Sequence, residues 1–188
     1  MLAIFLDIET TGLDPKIHSA IDIACCCVDL ATDEVKGSYQ TLIRPTTEQW
    51  EVRDLVSMQI NGYKWEQLQE GKPLRDVRRE IKEHFTTWGF QRGKGIFVCQ
   101  NPAFDRGFFS QIVDVYLQEQ LNWPYHWLDL ASMFFAHRVS RQEKFPPSLK
   151  ISKDDIAKHF GLSPEPRPHK AMNGTKHLMQ CYNAVVRN

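Results

Sequence analysis

The sequence predicts an α/β fold, and three observations carry that prediction. Three β-rich runs separated by turn residues lie before Pro45. One further short run, Gly95-Ile96-Phe97-Val98-Cys99, comes much later. The segments around and after it carry apolar residues at helical spacing.

The first run lies in "FLDIETTG". Its period of two puts Ile4, Leu6 and Ile8 on one face and Ala3, Phe5, Asp7 and Glu9 on the other, the pattern of a central strand covered on both sides. Turn chemistry at Thr11-Gly12-Leu13-Asp14-Pro15 ends it. A second run spans Ala20 to Leu30 and a third Gly37 to Ile43, closed by Arg44-Pro45. Short loops between the three predict an antiparallel meander. Leu74, Val77, Ile81 and Phe85 then recur at helical spacing, with Arg75, Arg78, Arg79 and Lys82 off that stripe. After the Gly95–Cys99 strand, Asn101 reads as an N-cap and Pro102 as the first helical residue of a helix reaching about Glu119. Shorter helices are expected over Leu128 to His137 and Asp154 to Phe160. A last one carries Leu178, Cys181, Tyr182 and Val185. Pro146-Pro147 and Pro164-Glu165-Pro166-Arg167-Pro168 read as stiff loops, the second positioning His169. With no internal repeat, low-complexity tract or linker, residues 1–188 are expected to form one domain.

Composition fits a soluble globular protein, with 42% hydrophobic and 24% charged residues. No apolar run approaches a membrane span and no signal peptide is read, so a cytoplasmic protein with no membrane partner is expected. Five cysteines, an odd number without Cys-x-x-Cys spacing, point to buried thiols rather than disulfides or a zinc site. Trp50, Trp65, Trp88, Trp123 and Trp127 are irregularly spaced and read as core. His18, His84, His126, His137 and His159 are assigned no role. Net charge is zero, yet from Phe135 onward ten Lys and Arg face four acids, a local +6. Such a stretch could face phosphates while the acidic remainder holds cations.

The chemistry centres on Asp7 and Glu9. Two carboxylates on one face of a strand repel each other, so a cation should lie between them or a pKa should rise. Asp105, just past the first turn of the helix after Asn101, would face them if its strand lay beside the first. Converging carboxylates suit a hard cation such as magnesium or manganese. His169, on its basic loop, could take a proton from metal-bound water.

"FLDIETTGLDP", "QNPAFDRGFF" and "PEPRPHKAMNG" closely resemble, in order and approximate spacing, the three motifs of the DnaQ-like DEDDh exonucleases, a group that includes polymerase proofreading subunits and ribonuclease T. The resemblance implies a ribonuclease H-like fold, a mixed five-stranded sheet with flanking helices. It further implies a 3′-to-5′ exonuclease that releases nucleoside 5′-monophosphates from single-stranded DNA or RNA ends with two Mg2+ (or Mn2+) ions. Carried over by position, Asp7 would bridge both ions, Glu9 would hold the one bearing the nucleophilic water, Asp105 would support the other, and His169 would be the general base. Thr10, Thr11, Gly12 and Leu13 match the stretch that grips the terminal nucleotide, with Asn101 and Phe104 as further candidate substrate contacts. A homodimer or a polymerase partner, as some relatives have, is open.

One position departs from the pattern. The third motif reads His-x-Ala-x-x-Asp in the group, and here His169 and Ala171 are followed by Gly174 where the fourth metal-binding acid would stand. Asn173 and His177 point elsewhere on a helix and do not replace it. Glycine in an early helix interior costs about 1 kcal/mol relative to alanine, and the sequence shows no packing motive for it. Three accounts stay open: an introduced substitution, a natural loss that leaves a non-catalytic end-binding module, or a site completed by water or a displaced acid.

Overall fold

A computed structural model describes residues 1–144 and 149–187; the Pro146-Pro147 loop lies outside the described residues. Strands β1 (Leu2–Thr10), β2 (Ala20–Asp29) and β3 (Glu34–Leu42) form the expected antiparallel meander. Three short helices follow, α1 (Thr47–Glu51), α2 (Leu55–Asn61) and α3 (Trp65–Gln69), then the long α4 (Leu74–Thr87). Strand β4 (Gly95–Cys99) pairs parallel to β1, and β5 (Trp127–Asp129) pairs parallel to β4. The sheet is thus mixed and five-stranded, in the order β3-β2-β1-β4-β5.

The two faces of β1 sort the helices as its alternation predicts. Ile4, Leu6 and Ile8 join a core made with Val77, Ile81 and Phe85 of α4 and with Phe108, Phe109 and Ile112 of α5 (Pro102–Ile112). Ala3 and Phe5 face the opposite core, built by α7 (Leu130–Ser140), α8 (Lys153–His159) and α9 (Ala171–Arg187). There the ring of Phe5 meets Tyr182 edge-on at 5.0 Å. Asp7 and Glu9 follow Phe5 on this second face, at the end of β1 where the parallel strands finish and where ligands of such sheets gather. All five cysteines are free and buried. No helix among the described residues is long and apolar enough to cross a membrane.

Three expected elements differ. The helix after Asn101 stops at Ile112, and Asp114 starts a new one, α6 (Val115–Gln120), by accepting hydrogen bonds from the Tyr116 and Leu117 amides. Asn101 holds the N-cap position, but its side chain makes no capping bond; only its carbonyl receives the Phe104 and Asp105 amides. The helix expected from Leu128 begins at Leu130, because Trp127–Asp129 is taken up by the sheet and Asp129 caps the helix through the Ala131 amide. Both displaced boundaries fall at an aspartate whose short side chain satisfies an orphan helix amide.

Asp114→Ala is expected to destabilise the protein by about 0.5–2 kcal/mol, the cost of losing an N-cap. Chemical denaturation of the two proteins measures it.

Candidate functional site

Register brings the first carboxylates together. Glu9 of β1 lies opposite Asp22 of β2, and Asp7 lies opposite Ala24. Asp22 is fully buried and anchors α9: its Oδ2 accepts the Ala171 amide at 2.9 Å and the Tyr63 hydroxyl at 2.6 Å. Burial raises the Asp22 carboxyl above its ordinary range, against these bonds, which favour the ionised form. That anchor starts α9 beside β1 and sets His169 and Gly174 at the carboxylates.

Asp105 is 6% exposed on the first turn of α5. Burial first, and the charge of Asp7 second, hold its carboxyl well above the usual range. Burial likewise pushes Glu9 to about 8, with Asp7 adding to the shift. The expected repulsion at this strand end therefore appears as upward shifts of the Glu9 and Asp105 carboxyls.

A cation does stand beside them, and it belongs to the chain. Lys153, the first residue of α8, donates from Nζ to Asp7 Oδ1 at 2.7 Å and pairs with Glu165 Oε2 at 2.9 Å. The three side chains are 13%, 14% and 1% exposed. Burial works against the Lys153 charge, but Asp7 and Glu165 outweigh it and keep the ammonium ionised. From Glu165 the line of groups continues: its Oε1 lies 3.4 Å from Nδ1 of His169 and its Oε2 3.8 Å from Nδ1 of His177. Neither Glu165 Oε1 nor His177 Nδ1 has a hydrogen-bond partner, although both are buried. Glu9, Glu165 and His169 each offer a ligand atom within 4.8 Å of the other two.

Gly174 has a packing reason that the sequence concealed. A Cβ built there would stand 2.2 Å from Oδ2 and 2.6 Å from Cγ of Asp7. The Asp7 carboxylate, drawn in by Lys153, occupies the space a side chain at 174 would need.

The turn after β1 is firmly held. Thr10 and Thr11 are buried; the Thr10 hydroxyl donates to the Gly12 carbonyl, and Asn61 Nδ2 donates to the Thr10 carbonyl at 3.0 Å. Thr11 receives the Asp54 amide on its carbonyl and the Ser19 amide on its hydroxyl. Gly12 lies under the His18 ring, where a Cβ would come within 2.2 Å. Leu13 projects from this rigid base, 73% exposed. Asn101 is exposed at the start of α5, and Phe104 is half-buried against Phe108.

The structure thus gathers Asp7, Glu9 and His169 around Lys153 and Glu165, with Asp105 within the electrostatic reach of Asp7. Sequence reasoning missed Asp22, Lys153 and Glu165, and weighed His177 only as a replacement for the absent acid. Asp22 showed a faint sign, as an acid set between two isoleucines in the second run. Glu165 showed another, set between two prolines four residues before His169.

The profile of the exonuclease family RNase_T matches residues 4–182. The chain belongs to this exonuclease family. DNA polymerase III PolC-type of Thermotoga petrophila is 26% identical over 183 residues, which is 97% of this chain and 12% of that protein; its counterpart from Thermotoga maritima matches equally. The chain therefore spans about an eighth of the length of these polymerases. Among solved structures, a zinc-bound E. coli ExoI–ssDNA complex superposes with a TM-score of 0.81 at 18% identity, covering 99% of this chain and 40% of that one. The nuclease domain of 3'hExo, a DEDDh family member bound to rAMP, gives 0.74 at 14%, covering 99% and 92%. Cell-death related nuclease 4 gives 0.75 at 16%, covering 99% and 64%. These likenesses establish the ribonuclease H-like exonuclease fold for this member of the family.

Gly174→Ala sets a gain in helix propensity of about 1 kcal/mol against overpacking worth about 1–3 kcal/mol. The clash with a pinned carboxylate should win, so the variant is expected to be less stable in denaturant unfolding. Glu9 gives a pH prediction. Its carboxyl is raised in the folded state from 4.5 to about 8, so its contribution to stability is full below pH 4.5 and is lost as pH rises through 8. Glu9→Gln should therefore melt a few degrees above the wild type at pH 9 in chelator, and the two should converge below pH 4.5.

Proposed function

We propose that this exonuclease-family chain binds the 3′ end of single-stranded nucleic acid at the site formed by the Thr10–Leu13 turn and the carboxylates beside the N-terminus of α9, and that 3′-to-5′ hydrolysis there is impaired. The observation that supports it best is the convergence of Asp7, Glu9, Asp105 and His169 at one end of the parallel strands, next to that turn. The fixed turn holds the terminal nucleotide, and exposed Leu13 packs on its base. Solved relatives in complex with single-stranded oligonucleotides, such as E. coli Exonuclease I with dT13, support the same choice of ligand. The match to PolC-type polymerases supports association with a polymerase.

Membership of the family implies divalent metal ions, but a pair of them does not fit the residues present. Asp7 is committed to the Lys153 ammonium, and at Gly174 there is neither a carboxylate nor room for one. No hydrolytic step through two ions is derived for this chain. His169 remains the residue placed to accept a proton, and its Nδ1 already faces Glu165. Lys153 at the centre of the acids also favours the second reading, a non-catalytic end-binding module.

Anisotropy with labelled single strands of DNA and RNA tests the proposal. Strands with a free 3′-hydroxyl should bind better than the same strands blocked by a 3′-phosphate. Leu13→Ala should weaken binding about tenfold, the loss of one side chain packed on a base. Slow mononucleotide release would establish the impaired exonuclease, and binding without release the end-binding module. No preference for the free end would overturn both.

A further inference from the structure

We infer that this site takes a single first-row divalent cation, held by Glu9, Glu165 and His169, with the Lys153 ammonium standing at Asp7 in place of a second ion. The inference rests on the carboxylate cluster being the functional site proposed above, and it names that site's cofactor and ligands.

Three observations carry it. First, the donors are assembled: Glu9, Glu165 and His169 present ligand atoms within 4.8 Å of one another. Neighbouring ligands on an ion at about 2.1 Å stand about 3 Å apart, so a cation would draw these groups inward by small side-chain rotations. Second, Glu165 is 1% exposed and its Oε1 has no hydrogen-bond partner, yet it points at His169 Nδ1 across 3.4 Å. A buried oxygen left unsatisfied is costly unless something absent from the protein atoms completes it. Third, charge is unbalanced. Asp7, Glu9, Asp105 and Glu165 face the ammonium of Lys153, whose ion pairs among the described residues are with Asp7 and Glu165. A dication on the far side of Glu165 supplies what Lys153 does not.

The donor set also selects the ion. Two carboxylates and an imidazole suit Mn2+ or Zn2+, whereas Mg2+ prefers oxygen alone. Glu165 thus becomes the displaced acid for the carboxylate absent at Gly174, reaching the site from the loop before α9 instead of from the helix. Ligation by His169 removes Nδ1 from proton transfer, which agrees with impaired hydrolysis.

Calorimetric titration of the chelator-treated protein with MnCl2 tests this, together with electron spin-echo spectra of the bound ion. One Mn2+ per chain is expected, with 14N modulation from an imidazole, and Mg2+ should bind at least tenfold more weakly. Glu165→Gln should weaken Mn2+ binding at least tenfold. His169→Asn, at a quarter-exposed side chain where folding is at little risk, should do the same and remove the nitrogen modulation. Two ions per chain, none, or one without nitrogen coupling would overturn the inference. Failure to bind oligonucleotides with one Mn2+ still bound would instead overturn the proposed function and leave the cation site standing.

Discussion

The ammonium of Lys153 between Asp7 and Glu165 is the contact on which the rest of the site depends. It joins the end of β1 to the first residue of α8 and the loop that leads into α9, segments at opposite ends of the chain. A buried ion pair is weak evidence for stability, since desolvation offsets much of its attraction. Its consequence here is positional. It holds the Asp7 carboxylate beside α9, where Asp7 occupies the position a Cβ at 174 would take. Gly174 and Lys153 are therefore two halves of one arrangement.

That arrangement bears on the three accounts of Gly174. An isolated substitution in an otherwise intact four-acid site would leave a gap at the helix. The structure instead has the Asp7 carboxylate in that space, with Lys153 and Glu165 paired around it. Asp105 and Glu9, kept as raised acids by burial and by Asp7, show that the ammonium alone does not neutralise the end of the strand.

The sheet explains why the site assembles where it does. Parallel pairing of β1 with β4 brings the start of α5, and Asp105, to the same end as Asp7 and Glu9. Asp22, opposite Glu9 on β2, fastens the first amide of α9 to the sheet. The loop carrying Glu165 and His169 is thereby delivered to Glu9 and Lys153. Its companion, the Thr10–Leu13 turn, is fixed from below by Asn61, Asp54 and Ser19. The result is an exposed leucine on a firmly held turn beside a cluster of buried carboxylates.

The sequence by itself determined the strand pattern, the meander, the apolar stripes of α4 and α9 and the family, because alternation, helical spacing and three ordered motifs are local properties of the chain. It located Asp7, Glu9, Asp105 and His169 for the same reason. Helix ends at Asp114 and Leu130 were less legible, since a short polar side chain decides them by one or two bonds. Only the tertiary structure decided what neutralises the acids. Lys153 stands 146 residues from Asp7, and Glu165 reads as one more charge in a proline-rich loop. A lysine becomes a cation site only when folding removes the water around it, and no spacing in the sequence records that.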